Sequence, residues 1–371
     1  MKFEISASGL KQLISVVKEF NPEEITITVS SNVELNMFAI RGLDNVQTLE
    51  WEADETKPIE KGSVIVSYAS FTNLAHMASG KSKQPITFSL NDEKELVVNG
   101  AYTQIIKPRE KTYEGETPTF VDAYQYRVSC QYGLGFILHS LSKDNSRLEF
   151  TGACIQDGKL IATNGHCMSI ADFVTSYELN EHGQPVVCEN HNIKPIIPGT
   201  ICRFMNKTMK YDDGEILISK DVKHGKYTEP GMTITFDLVK GLYPDFLKAL
   251  PSPKTLSQSN SFFIEVNDWR TAIKSLIAGI KKPVVKLETP GTDDRNTLNV
   301  IASGKGSVES ERKATLQINK SDLKTNFSIN IDGYYLLEML KEQVVSCKIY
   351  QLEAMIVVEG AKGKEIIMLI E

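Results

Sequence analysis

The sequence has no run of about 18 apolar residues, so no segment reads as a membrane-spanning helix. Met1-Lys-Phe-Glu4 leads directly into patterned sequence rather than into a secretory signal plan, and a cytoplasmic location is the expectation. The six cysteines, at 130, 154, 167, 188, 202 and 347, form no Cys-x-x-Cys pair. That excludes a zinc ribbon and gives no disulfide framework, leaving reduced, half-buried thiols as the expectation. Cys188 and His191 have the spacing of two metal ligands but lack a second pair, and no metal is expected. Complete nucleotide-binding motifs are missing too. Gly80-Lys-Ser82 resembles the end of a phosphate-binding loop, but Ala75 stands where its first glycine belongs. The tripeptide follows a helical pattern instead of opening one, so Gly80 is read as a helix C-cap. Gly133-Leu-Gly135 lacks the third glycine of a dinucleotide fingerprint. Neighbouring side chains on a strand point to opposite faces, so His166 and Cys167 cannot act as base and nucleophile. No other histidine has a motif context, and no catalytic constellation or cofactor site is read.

Charge is short on one side. Forty-one basic residues face 47 acidic ones, a formal net charge of −6. This argues against a protein that coats nucleic acid with its whole outer surface, but not against one that gathers cations on a single inner face.

What is present is patterned. At 371 residues, 41% hydrophobic and 24% charged, the chain can build two or three domains, each with a core. Leu10, Leu13, Ile14 and Val17 have helical spacing, with Ser6 and Ser8 as candidate N-caps and Asn21-Pro22 as the stop. The spacing returns at Leu134, Ile137, Leu138 and Leu141 after Ser129, and at Trp269, Ala272, Ile273 and Leu276 after Asp268. A second helix type also recurs: Phe71, Leu74 and Ala75 after the strand at 64–66, Ile201, Phe204 and Met205 after Ile196-Ile197, and Leu336, Met339 and Leu340 after Phe327-Ser-Ile-Asn330. Repeats this long are tandem domains, not solenoid units. Polar, breaker-rich stretches at 109–118 and 251–260 read as linkers. The expected fold is α+β, with domains at 1–118, 119–252 and 253–371, each pairing two helices with antiparallel sheets.

Two β-compatible runs, Leu160 to Thr163 and Cys167 to Phe173, flank Asn164-Gly165, a strong hairpin signal because both residues tolerate positive φ. Arg147-Leu-Glu-Phe150-Thr-Gly152 precedes them, and Ala162-Thr-Asn-Gly-His166 follows. This order resembles the middle domain of bacterial sliding clamps, the beta subunit of DNA polymerase III, with Asn for Asp. The likeness extends along most of the chain: the opening Met1-Lys-Phe-Glu-Ile5 with its helix, Gly241-Leu-Tyr-Pro-Asp-Phe246 ahead of Leu250-Pro251, Phe327 to Asn330 before the last helix, and a final strand ending Ile366-Ile-Met-Leu-Ile370.

The resemblance implies a non-enzymatic processivity factor: a homodimeric ring that encircles double-stranded DNA without reading sequence. It would tether the replicative polymerase and be opened by a clamp loader that supplies the ATP, with no cofactor of its own. Lys11 and Lys18 share one flank of their helix, Arg270 and Lys274 the equivalent flank of another, and Arg203, Lys207 and Lys210 line a third. Such repeated cations suit a charged lumen, because diffuse phosphate contact holds duplex without fixing register. Lys143 and Arg147 sit where the family places further DNA contacts, although Leu148-Glu149 replaces its usual aromatic pair. By resemblance, a groove for short linear peptides is formed by Phe150, Thr163, Gly165, His166, Cys167, Met168, Pro244, Lys248, Ala249, Ile366, Met368 and Ile370. Flexible Met and Ile side chains suit varied partners. Cys167 stands where a basic residue is usual, Leu369 where proline is frequent, and Glu371 ends the chain. These departures imply unusual partner peptides, as for a clamp carried by a phage or mobile element. Dimer contacts implied by the family fall on Tyr102 and on Leu276 or Ile277. Two other readings remain: a scaffold that binds peptides but not DNA, and a thiol enzyme centred on Cys167.

Overall fold

Ser6 opens the first helix, its hydroxyl accepting the Gly9 amide at 2.9 Å and its carbonyl the Leu10 amide at 3.0 Å. The first satisfies a donor that a helix N-terminus leaves free, and the second is the first backbone bond of the helix. The structure, a computed structural model, describes the chain except residues 21–23, 30–36, 42–45, 52–55, 80–84, 110–117, 129–133, 173, 180–184, 188–192, 209–213, 230–231, 291–295, 305–306, 344, 362 and 371. Lys210, Cys130, Cys188, Ser129, Gly80 and most of the first linker lie outside the described residues.

The helices are α1 (Ala7–Phe20), α2 (Tyr68–Asn73), α3 (Leu134–Ile137), α4 (Gly199–Thr208), α5 (Pro253–Gln258), α6 (Val266–Ile277) and α7 (Gly333–Glu342). The chain divides into two compact units, one from Met1–Cys130 with Thr175–Lys240, the other from Gln131–Val174 with Gly241–Glu371.

In the first unit, the strand Lys2–Ile5 pairs antiparallel with Thr56–Glu60 and Ile86–Leu90, and Phe3 stacks on Phe88 at 4.6 Å. α1 buries Leu10, Leu13, Ile14 and Val17 and packs on α4, where Phe20 meets Phe204 at 4.8 Å. Ser67 caps α2 by accepting the Ser70 amide.

The second unit is organised on one broad antiparallel sheet. Its strands lie in the order Gly152–Gln156, Lys159–Thr163, Cys167–Asp172, Gly363–Met368, Met355–Gly360, Ser346–Gln351, Asn260–Glu265 and Asn319–Asp322. A second sheet orders Ser307–Gln317, Thr297–Gly304, Pro283–Glu288 and Ser328–Asp332. Between them, α6 buries Trp269, Ile273 and Leu276, and the Trp269 indole donates to the Gln317 carbonyl at 3.1 Å. Arg312 reaches back to the C-terminus of α6, donating to the carbonyls of Leu276 and Ala278 at 3.1 and 2.7 Å, a favourable place for a cation.

Four sequence expectations need correction. The helical pattern through Leu141 is cut short: α3 passes at Leu138–Ser140 into a 3₁₀ turn, and Leu141 is extended. The buried Ser140 hydroxyl is drawn instead to Ser169 at 2.7 Å. Asp268 is not a cap, because α6 begins two residues earlier and Asp268 lies in its first turn. The stretch at 251–260 is no plain linker: Ser252 accepts the Thr255 amide at 3.1 Å and Pro253 occupies the first helical position, so Pro-Ser-Pro starts α5. The hairpin turn is centred one residue late, on Gly165-His166, and only Gly165 takes positive φ, at +89°.

Candidate functional site

The hairpin is closed by side chains as well as backbone. Asn164 Oδ1 accepts the amides of His166 at 2.9 Å and Cys167 at 3.0 Å, and the Thr163 hydroxyl donates to the Cys167 carbonyl at 2.8 Å. An Asx turn therefore replaces the carbonyl bond expected of a two-residue loop. Asn164 also donates to the Tyr335 hydroxyl at 3.3 Å, and the His166 ring lies 6.3 Å from that of Tyr335.

The strand Gly363–Met368 runs beside the hairpin, with Cys167 opposite Ile367 and Met168 opposite Ile366, while the Met368 amide donates to the His166 carbonyl at 2.9 Å. Alternation along a strand puts Met168, Ile366 and Met368 on one face. Phe150, in the 3₁₀ turn Leu148–Thr151, meets Tyr243 edge-on at 6.4 Å, and the Arg147 guanidinium lies 5.3 Å from the Phe150 ring. Tyr243 fastens the Pro244-Asp245 turn by donating to the Ile161 carbonyl at 3.2 Å. Asp245 then caps the 3₁₀ turn Phe246–Lys248 through the Leu247 amide. Gly241 has φ +144°, and a Cβ there would stand 3.2 Å from that of Glu149, so this turn has little room for a side chain.

The twelve groove candidates thus all belong to the second unit, and the bonds above tie their three segments to one another. Phe150, Thr163, Cys167 and Ile366 are buried; Met168, Pro244, Ala249 and Ile370 are half-buried; Gly165, His166, Lys248 and Met368 are exposed. Tyr243 and Tyr335, which fix the turns, were not among the groove residues expected from the sequence, nor were the exposed Leu148, Leu242 and Leu247 around them. A large apolar residue beside a turn that proline and glycine leave no room to hide was the available signal.

Cys167 is poorly placed for nucleophilic chemistry. Burial pushes its thiol up to about 11, only partly opposed by a contact with the Ser140 hydroxyl at 3.3 Å. Cys347 is pushed up to about 12, again by burial. Iodoacetamide at pH 8 should therefore leave Cys154, Cys167, Cys202 and Cys347, all buried, unlabelled in the native protein and label them after denaturation. Fast native labelling of Cys167 in peptide mapping would reopen the thiol-enzyme reading. Among the described residues no group of three His, Cys, Asp or Glu is placed to hold a metal ion.

The candidate cations occupy solvent-facing positions. Lys11, Lys18, Arg203 and Lys207 are exposed on the packed pair α1 and α4 of the first unit. In the second unit Lys143, Arg147 and Lys274 are exposed, while Arg270 is half-buried and donates to Asn267 at 2.8 Å. No ion pair among the described residues engages Lys11, Lys18, Arg203 or Lys274. Of the proposed dimer contacts, Tyr102 is exposed in a turn, but Leu276 and Ile277 are buried in the core of their own unit. Their apolar spacing on α6 serves that core.

No family model matches the sequence, and no curated protein does. Solved structures do. The DNA polymerase sliding clamp of Bacillus subtilis superposes with a TM-score of 0.76 at 14% identity, over 100% of this chain and 99% of that one. DNA polymerase III subunit beta of Pseudomonas aeruginosa gives 0.75 at 16%, and the Helicobacter pylori beta clamp bound to a DNA ligase peptide gives 0.75 at 16%, each over 100% of both chains. From end to end, the chain has the fold of the bacterial DNA polymerase sliding clamp.

Proposed function

We propose that this protein is a polymerase processivity factor: two copies close into a ring around duplex DNA, and short peptides of a polymerase and a clamp loader dock in the groove of the second unit. The end-to-end match to bacterial clamps carries the reading, because neither chain leaves a domain over. The exposed cations of α1, α4 and α6 support it, since a sliding surface needs positive charge that makes no sequence-specific bonds. In this reading the chain forms tandem domains at 1–118, 119–252 and 253–371, and ATP is used by the loader alone.

The test joins mass to topology. Light scattering across a dilution series should give close to twice 41.4 kDa. Once loaded, the protein should stay on nicked circular DNA through a high-salt wash and run off the same DNA after linearisation. Equal loss from both forms, or a monomer that no loader assembles, would leave a peptide-binding scaffold with no topological hold on DNA.

A further inference from the structure

On the same sheet face as Met168, Ile366 and Met368 lies a second cleft, of 820 Å³, which sequence reasoning did not find. That volume is within the range of built ligand sites. Antiparallel register sets its floor: Met168 stands opposite Ile366, Ile366 opposite Val357, Val357 opposite Tyr350, and Tyr350 opposite Ser261. A second row runs alongside, through Lys364, Glu359, Lys348 and Phe263. Residues two apart on a strand share a face, so both rows point the same way. Glu365 and Ile367, one residue out of step, point to the other face. The groove and the cleft are therefore one surface, meeting where Ile366 adjoins Val357. With strands about 4.8 Å apart, Ile366 and Ser261 are separated by roughly 14 Å, a span that four or five extended residues cover.

The roof and the charges narrow the occupant. Leu247, Leu250, Pro251, Pro253 and Leu256 supply apolar walls. α5 is held in place by its Ser252 cap and by Lys324, whose ammonium bonds the Ser257 carbonyl. On the floor Glu359 is fully engaged: Lys364 lies 2.8 Å away, the Tyr350 hydroxyl donates at 3.2 Å, and the lysine contact holds the carboxyl below its usual range. Asp322 is paired with Lys324 at 3.7 Å. Lys348 differs, because its ammonium lies 4.6 Å from the Tyr350 ring centre and 5.7 Å from that of Phe263, with no carboxylate at ion-pair distance among the described residues. The cleft thus offers an aromatic floor, apolar walls and one cation, Lys348, that makes no direct ion pair and acts on Glu359 across the ladder only through space.

We infer that the peptide anchored in the groove continues across this face into the cleft, where it seats an aromatic or large apolar residue followed by an acidic residue that pairs with Lys348. The inference rests on the reading of the groove as a peptide site, and it adds a requirement for a second anchor of defined chemistry.

Fluorescence anisotropy on the full-length protein tests it, with fluorescein-labelled synthetic peptides sharing a Leu-Leu, Leu-Phe or Ile-Met anchor. On either side of the anchor they carry Gly-Ser-Phe-Asp, Gly-Ser-Phe-Lys or Gly-Ser-Gly-Ser. The Phe-Asp form should bind at least tenfold more tightly than the Gly-Ser form. Lys348→Glu should erase that gain, transfer it to the Phe-Lys form, and leave the Gly-Ser form unchanged, which also shows that the variant is folded. Met368→Asp should weaken all three. If the Gly-Ser peptide binds but Phe-Asp adds nothing, or if Lys348→Glu weakens every peptide alike, the second anchor is wrong while the groove stands. If no peptide binds, the groove reading falls and this extension with it.

Discussion

Replacing His139 with alanine should destabilise the second unit by about 1–3 kcal/mol, the usual cost of leaving a buried acceptor without its partner. His139 Nε2 lies 2.8 Å from Glu365 Oε1, with side-chain exposures of 11% and 1%. The Ser169 hydroxyl donates to the same oxygen at 3.0 Å, Ser140 lies 2.7 Å from Ser169, and Ser140 contacts Cys167. Without the imidazole, Glu365 keeps a single hydroxyl donor inside an apolar core. Its other oxygen already has no hydrogen-bond partner among the described residues. Glu365→Gln on its own keeps the shape and should cost less. The double variant His139→Ala with Glu365→Gln should lose clearly less than the sum of the singles, the signature of a coupled pair. Urea unfolding followed by Trp269 fluorescence reads this unit, once Trp51 of the other unit is changed to Phe. A loss under about 1 kcal/mol for His139→Ala would mean that water or a neighbour replaces the imidazole.

Changing Lys11, Lys18, Arg203 and Lys207 together to alanine should flatten the salt dependence of DNA binding. Each phosphate neutralised contributes about 0.9 to the slope of log affinity against log salt, so four contacts remove roughly three to four units for each copy in the ring that makes them. At low salt the variant should bind weakly, and near physiological salt it should hold DNA only while the ring stays closed. All four side chains are exposed, so stability should change little, roughly within 0.5 kcal/mol per site. The effect should be the same on duplexes of unrelated sequence, because these residues address phosphates and not base edges. A slope equal to that of the unchanged protein would exclude the α1–α4 face as a DNA surface and favour a scaffold that binds peptides alone. The corresponding set Lys143, Arg147, Arg270 and Lys274 separates the contribution of the second unit.

Much of the fold could be read from local pattern, and the reasons are local. α1, α4, α6 and α7 bury the apolar residues whose spacing announced them, because helical periodicity and burial report the same face. Of the two candidate caps, Ser6 takes the role and Ser8 lies inside α1, because capping needs a hydroxyl and the amide two or three residues on. α5 was missed because prolines and serines read as breakers until Ser252 is seen to bond Thr255. The turn centre moved by one residue because Asn164 spends its side chain on Cys167 and His166, a choice invisible to turn propensity alone. The segments proposed for the groove came from resemblance, since nothing local joins Phe150, Pro244 and Met368. The His139–Glu365 pair and the cleft under α5 left no sequence signal, because strand register far along the chain brings those residues together. A lone Glu between isoleucine-rich positions in Gly363–Met368 was the nearest hint.

The strand Gly363–Met368 carries ladder bonds on both flanks, to Cys167–Asp172 on one side and Met355–Gly360 on the other, and beyond it the Leu369 and Ile370 amides bond Ala354 and Asn330 at 3.0 and 2.9 Å. A pull directed along this strand loads both rows of bonds in shear, all together, whereas a pull across it would open them one at a time. The end of the chain therefore behaves mechanically as a tie-bar built into the sheet, able to transmit tension from whatever grips Ile366 and Met368 to the whole unit without peeling away.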